Sequence, residues 1–281
     1  MEASTAAAHE PPHTRAPARA STSEVGGPAA YLAELIGTFG LVFFVAAVVS
    51  VYSGDGLGYA DFTVIGLVHT FVLMLLITSL GGASGAHFNP AVTIALLVGR
   101  KIRPPDALIY IVVQLIGGLL GAMLAKLLLE NEGSGVNYGA LAISDAAATP
   151  AAAPGVPPAA TGPDFLGGSV LGGLAVEAIG TFFLMWAIMA TAVNPRGNRN
   201  WAPFVIGSTL GFCVMVLAPL TGAGFNPARW FGPAIAGGET GDFWVFILGP
   251  VIGALLAYMA YTAIVLNPQD RHGERPIDTL D

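Results

Sequence analysis

The stretch Ser84-Gly85-Ala86-His87-Phe88-Asn89-Pro90-Ala91 returns in the second half of the chain as Thr221-Gly222-Ala223-Gly224-Phe225-Asn226-Pro227-Ala228. Asn followed by Pro is a helix-start signal. The Asn side chain caps the first turn, and Pro is tolerated there because its missing N–H would be unpaired anyway. After Asn89-Pro90-Ala91 about nine residues stay apolar before Arg100-Lys101, and about nine follow Asn226-Pro227-Ala228 before Gly237-Gly238. Nine helical residues rise about 13 Å, roughly half of a bilayer's hydrocarbon core. A lone Asn-Pro-Ala is no more than a helix cap. Two in matching places imply two half-helices that enter from opposite faces and meet, N-terminus to N-terminus, at the midplane.

The rest of the sequence agrees with a membrane setting. Of 281 residues, 54% are hydrophobic and 10% charged, with mean hydropathy +0.69. A soluble domain carries about 25% charged residues, so too little polar material is present to cover a water-facing surface. The net charge of −7 argues against nucleic acid as a partner. Cys213 is the single cysteine, which excludes a disulfide framework or a cysteine-rich metal site. No His or Cys spacing suggests a metal, no nucleophile sits beside a base, and no phosphate-binding loop is present. An enzyme reading and a cofactor are therefore not expected.

Six runs reach spanning length: 31–52, 62–81, 105–129, 169–193, 202–220 and 243–266. The first and fourth repeat each other, Glu34-Leu35-Ile36-Gly37-Thr38-Phe39 against Glu177-Ala178-Ile179-Gly180-Thr181-Phe182. Three spans per half give the halves opposite polarity. Inverted repeats of this kind place a functional site where the halves meet; duplication that serves assembly alone is the competing reading. Of the 11 basic residues, nine fall on the side of the termini, and only Lys126 and Arg229 do not. The positive-inside rule then makes both termini cytoplasmic in a multi-pass protein. The expected domain order is a disordered N-terminal tail (1–29), a first half with the half-helix from Asn89 (30–130), an external loop (131–168), a second half with the half-helix from Asn226 (169–266) and a C-terminal tail (267–281). The Pro/Ala bias of the external connection from 130 predicts a tether with little structure of its own.

The duplicated Glu-x-x-Gly-Thr-Phe, together with Ser-Gly-Ala-His-Phe-Asn-Pro-Ala-Val-Thr and Gly-Phe-Asn-Pro-Ala-Arg, resembles the aquaporin (major intrinsic protein) family over residues 31–266. The resemblance implies an all-α integral membrane fold of six tilted helices and two re-entrant half-helices. It also implies a homotetramer in the cell membrane with one pore per subunit, passing water and small neutral solutes. In that family Arg229 belongs to the narrowest constriction, toward the external mouth. Spacing carries the other three constriction positions onto His69, Val214 and Ala223. The pore midplane falls at Asn89, Pro90, Ala91, Asn226, Pro227 and Ala228.

The residues suggest a mechanism. Asn89 and Asn226 cap with their oxygens, and their amides are left to donate to the oxygen of a passing water. That water cannot then accept from its neighbour, which interrupts a proton wire. The two positive helix ends repel cations. His69 in the second span with an aliphatic Val214 in the fifth looks more like the plant vacuolar-membrane type than strictly water-selective relatives. Trp230 stands where glycerol-passing relatives have Asp, and Ile247 where water-type members usually carry Trp. Water is expected to pass, with room for ammonia, hydrogen peroxide or urea and a poorer fit for glycerol. The alternative for His69 is a buried ring bonded to a carbonyl.

Glu34 and Glu177 either brace the re-entrant loops or relay protons in a secondary transporter; symmetric duplication and the family favour bracing. Gln114 reads as a helix-contact polar group and His87 as a support of its loop. Cys213 is expected to face away from Val214, so mercurial block should be weak; strong block abolished by Cys213→Ser would contradict this. A non-conducting membrane-junction protein is a further alternative, disfavoured by the small Val214 and Ala223.

Overall fold

The computed structural model describes residues 26–52, 59–143 and 169–266, and among these every regular element is helical. In chain order they are α1 (Pro28–Tyr52), α2 (Tyr59–Ser84), α3 (Pro90–Val98), α4 (Pro104–Leu128), α5 (Glu130–Gly133), a 3₁₀ turn (Ser134–Gly139), α6 (Val170–Ile188), a π turn (Met189–Val193), a second 3₁₀ turn (Arg199–Trp201), α7 (Ala202–Thr221), α8 (Pro227–Gly237) and α9 (Phe243–Ile264). Among the described residues, six segments are long and apolar enough to cross a membrane, those of α1, α2, α4, α6, α7 and α9. Their ends move only a few residues from the sequence expectation. The fourth run, read as one helix over 169–193, closes with a π turn at Met189–Val193, where Asn194 N–H reaches back to the Met189 carbonyl at 2.8 Å.

The two halves pack alike. α1 lies along α4, α6 lies along α9, and α2 crosses α7 between them. Small residues permit the close approach. A Cβ at Gly117 of α4 would stand 2.5 Å from the Leu35 carbonyl oxygen of α1, and one at Gly253 of α9 would meet the Ala178 carbonyl of α6. Leu35 and Ala178 follow Glu34 and Glu177 in the repeat, so these are the same contact made twice.

Two expectations change. The N-terminal tail ends before residue 29, because α1 begins at Pro28; residues 1–25 and 267–281 lie outside the described residues. The connection read as a tether from 130 is built over its first part. α5 and the 3₁₀ turn pack on α1, α4 and α8, and Leu141 is buried with Trp230 and Phe246. Pro and Ala are concentrated after residue 145, while 130–143 carries Tyr138, Leu141 and Ile143, which have apolar surface to bury. Residues 144–168 lie outside the described residues.

Candidate functional site

Two loops, one before α3 and one before α8, carry the site. Their backbones match: Gly85, Ala86 and Phe88 have φ of 80°, 53° and 47°, and Gly222, Ala223 and Phe225 have 78°, 54° and 51°. Left-handed Ala and Phe are strained, and such conformations persist only when their surroundings fix them. The repeated Glu does so. Glu34 Oε1 accepts from Ser84 Oγ at 2.6 Å and His87 N–H at 2.9 Å, and Oε2 from Phe88 N–H at 2.7 Å and Gln114 Nε2 at 2.8 Å. Glu177 Oε1 accepts from Thr221 Oγ1 at 2.7 Å and Gly224 N–H at 2.9 Å, and Oε2 from Phe225 N–H at 2.6 Å. Both carboxylates are fully buried.

The rest of the Glu-x-x-Gly-Thr-Phe repeat serves the same joint. A Cβ on Gly37 would run into the Phe88 ring, and one on Gly180 into the Phe225 ring. The missing side chains are the seats of the loop aromatics. Thr38 and Thr181 each donate a hydroxyl to the carbonyl of their own Glu at 2.8 Å, which leaves no free hydroxyl in the apolar packing. In the first half the joint is extended: Gln114 Nε2 also reaches Thr93 Oγ1 at 3.0 Å, and His87 Nδ1 lies 3.1 Å from the same hydroxyl.

Asn89 and Asn226 cap the two short helices. Asn89 Oδ1 accepts from Ala91 N–H at 2.9 Å; Asn226 Oδ1 accepts from Ala228 N–H at 2.9 Å and Arg229 N–H at 3.4 Å. Their amides are not wholly free, contrary to the sequence expectation. Asn89 Nδ2 donates to the Phe225 carbonyl at 2.8 Å, and Asn226 Nδ2 to the Phe88 carbonyl at 2.9 Å. Each NH₂ has two hydrogens, so one ties the loops together and one remains. The reciprocal bond explains the left-handed Phe residues, whose carbonyls it uses. Pro90, Ala91, Pro227 and Ala228 are buried in the first turns behind these caps.

Both Asn residues border a cavity of about 880 Å³, whose wall also includes His69, Arg229, Lys101 and Arg199. His69 is 3% exposed, and Nδ1 stands 2.8 Å from the Ile65 carbonyl. A carbonyl only accepts, so Nδ1 carries the hydrogen and the Nε2 of the neutral ring presents a lone pair. Among the described residues that Nε2 has no hydrogen-bond partner, and neither has Arg229 Nε. Arg229, also 3% exposed, donates Nη1 to the Gly139 carbonyl at 2.8 Å. Leaving a buried polar group unpaired costs about 1–3 kcal/mol, and a cavity wall is where water can supply the missing partner.

Val214 and Ala223, grouped with His69 and Arg229 on spacing, are fully buried with Phe88 and Phe225 and are absent from the cavity wall. Cys213, also buried, is not on the wall either. Three backbone carbonyls were invisible to sequence reasoning. The carbonyls of Phe88 and Phe225 carry no side-chain signature, and Gly139 lies in the segment read as a tether. The sole signal toward Gly139 was the pair of basic residues, Lys126 and Arg229, that break the charge pattern.

A pair of Asn-capped short helices, tied to each other by reciprocal amide–carbonyl bonds and set in an inverted repeat of six spans, coincides with what sequence comparison finds. The family described as Major intrinsic protein matches residues 21–261. This chain belongs to the major intrinsic protein family. It is a family of channels, so this major intrinsic protein is a membrane protein of passive channel type. Among its relatives, "Glycerol uptake facilitator protein-like 6" of Lactiplantibacillus plantarum is 38% identical over 85% of this chain and 99% of its own length. "Aquaporin TIP4-4" of Zea mays is 34% identical, covering 92% and 95%. "Probable aquaporin AqpM" of Archaeoglobus fulgidus is 35% identical, covering 82% and 94%. The solved structure of the aquaglyceroporin from Plasmodium falciparum shares the fold with TM-score 0.65 at 21% identity, over 86% of this chain and 98% of that one.

Proposed function

We propose that this major intrinsic protein conducts water and small neutral solutes passively while excluding protons and ions. The observation that carries the reading is the paired caps, each with one amide hydrogen left over on the cavity wall. Those hydrogens, at two positive helix ends, orient a passing water as an acceptor from both sides and disfavour cations. α3 and α8 act as re-entrant half-helices, and the polar meeting point lies near the membrane midplane. Both termini face the cytoplasm of a multi-pass plasma-membrane protein, and the subunits assemble as a homotetramer.

The constriction is read as His69, Arg229, Val214 and Ala223. His69 Nε2 accepts while Arg229 donates, so the pair serves a solute with both a donor and an acceptor, such as water, ammonia, hydrogen peroxide or urea. Small Val214 and Ala223 leave width for urea. Relatives include an aquaporin and a glycerol uptake facilitator by name, which brackets the same range, and Trp230 beside Arg229 makes glycerol the poorest member of it. The coupled-transporter reading loses ground because Glu34 accepts four hydrogen bonds and Glu177 three, all but the one from Gln114 donated by the re-entrant loops and the helix ends that lead into them. Protonation of either would break bonds that hold the loops.

The test is stopped-flow light scattering on proteoliposomes under osmotic shock, with urea and ammonia uptake beside water flux, in wild type and His69→Phe. Fast water flux with solute uptake that falls in the variant is expected. Fast water flux with no solute uptake would restrict the channel to water. Saturable, ion-dependent flux would replace the channel with a transporter.

A further inference from the structure

Lys126 and Arg229, the two basic residues that do not fall on the side of the termini in the sequence reading, converge on one short strap. Residues 137–139 run through three successive left-handed conformations, with φ of 48° at Asn137, 55° at Tyr138 and 76° at Gly139. Asn and Gly tolerate that conformation, but nothing local favours it for Tyr138, so contacts must hold it. Tyr138 is buried, its hydroxyl donates to the Glu130 carbonyl at 3.2 Å, and its ring faces Lys126 Nζ, 5.2 Å from the centroid. Asn137 Nδ2 donates to Glu239 Oε1 at 3.3 Å, and a Cβ on Gly237 would stand 2.9 Å from the Asn137 Cβ. The end of the strap is the Gly139 carbonyl that receives Arg229 Nη1.

Lys126 does more than cover a ring. It sits in the last turn of α4, and its Nζ donates to the Ala236 carbonyl at 2.7 Å, in the last turn of α8. One ammonium thus joins the C-terminal ends of α4 and α8 and presses on the strap. It complements the negative end of both helices and adds a cation–π contact to the Tyr138 ring. α8 is the helix that carries Arg229. The guanidinium is therefore held from two directions, by its own helix and by the strap, and Lys126 fastens both.

We propose that Lys126 is a positioning residue for selectivity: through Tyr138 and Ala236 it fixes the Gly139 carbonyl and α8, and so the place of Arg229 on the cavity wall. The proposal rests on the reading of Arg229 as part of the constriction. A lysine at this place that served stability alone would leave the choice among solutes untouched.

The experiment has two arms on the full chain. In proteoliposomes, the ratio of urea to water permeability is compared among wild type, Lys126→Met, Tyr138→Leu and Lys126→Arg. A contact of this strength predicts a ratio about threefold higher or more in Lys126→Met and Tyr138→Leu. Lys126→Arg, which keeps the charge, a donor and the ring contact, should restore the wild-type value. In parallel, hydrogen exchange of the backbone amides over 134–143 should be about threefold faster or more in Lys126→Met than in wild type. An unchanged ratio with proportional loss of both fluxes would overturn the proposal, and so would unchanged exchange. A wild-type protein that moved neither solute would count against the channel reading instead, while the exchange arm would still decide whether Lys126 holds the strap.

Discussion

In the first half of the chain the loop before α3 carries His87 and the helix carries Val92; in the second half the matching places hold Gly224 and Arg229. The scaffolds beneath are the same, a buried Glu, a glycine seat for a Phe ring and an Asn cap tied to the opposite loop. The first loop is filled in further by Gln114, Thr93 and His87, so its polar groups are turned toward one another. The second is emptier, with Gly224 in place of the imidazole, and its helix carries a cation that meets the 130–143 segment. Duplication supplied the frame, and single substitutions left one copy braced by side chains and gave the other the cation that the proposed function reads as a filter.

The largest expected effect comes from removing the frame. Glu34→Ala leaves four donors without their acceptor and Glu177→Ala three, at about 1–3 kcal/mol each for buried groups. Both variants should lose most of their detergent-stable yield in size-exclusion chromatography, Glu34→Ala more severely. Next come Gly37→Ala and Gly180→Ala, whose added methyls enter the Phe88 and Phe225 rings. Overpacking of this kind costs about 1–3 kcal/mol, and the two melting temperatures should fall by similar amounts; a large inequality would break the equivalence of the joints.

Arg229→Val gives the second helix the residue of the first and should remove the distinction in function while sparing the fold. Loss of a barrier of about 1.4 kcal/mol is a tenfold change in rate, so urea uptake and ion leak in proteoliposomes should rise about tenfold. The smallest effect is assigned to Gln114→Leu. It withdraws one bond from Glu34 and one from Thr93, about 1 kcal/mol each, and should lower the melting temperature with water flux retained. A loss of flux as great as in a cap variant would place Gln114 in the permeation path.

Much of the fold was legible because membrane helices announce themselves by length and apolarity, and because the repeat appears twice. Asn-Pro states a helix start locally, and Asn89 and Asn226 are caps in the structure. What could not be read depends on backbone groups brought together by the fold. The Phe88 and Phe225 carbonyls take one hydrogen from each opposite Asn, and the Gly139 carbonyl takes one from Arg229. Carbonyls are the same at every position, so no residue type points to them. Spacing put Val214 and Ala223 beside His69 and Arg229; in the structure His69 and Arg229 border the cavity, while Val214 and Ala223 are buried in the helix packing.

The central claim is that the two Asn caps form a point that water crosses and protons do not. It is tested most directly by measuring osmotic water permeability and passive proton flux in the same proteoliposomes, with empty liposomes as reference. The account predicts water permeability well above the reference with weak temperature dependence, and proton flux no greater than the reference. Proton flux that rises in step with water, or water permeability equal to that of empty liposomes, would contradict it.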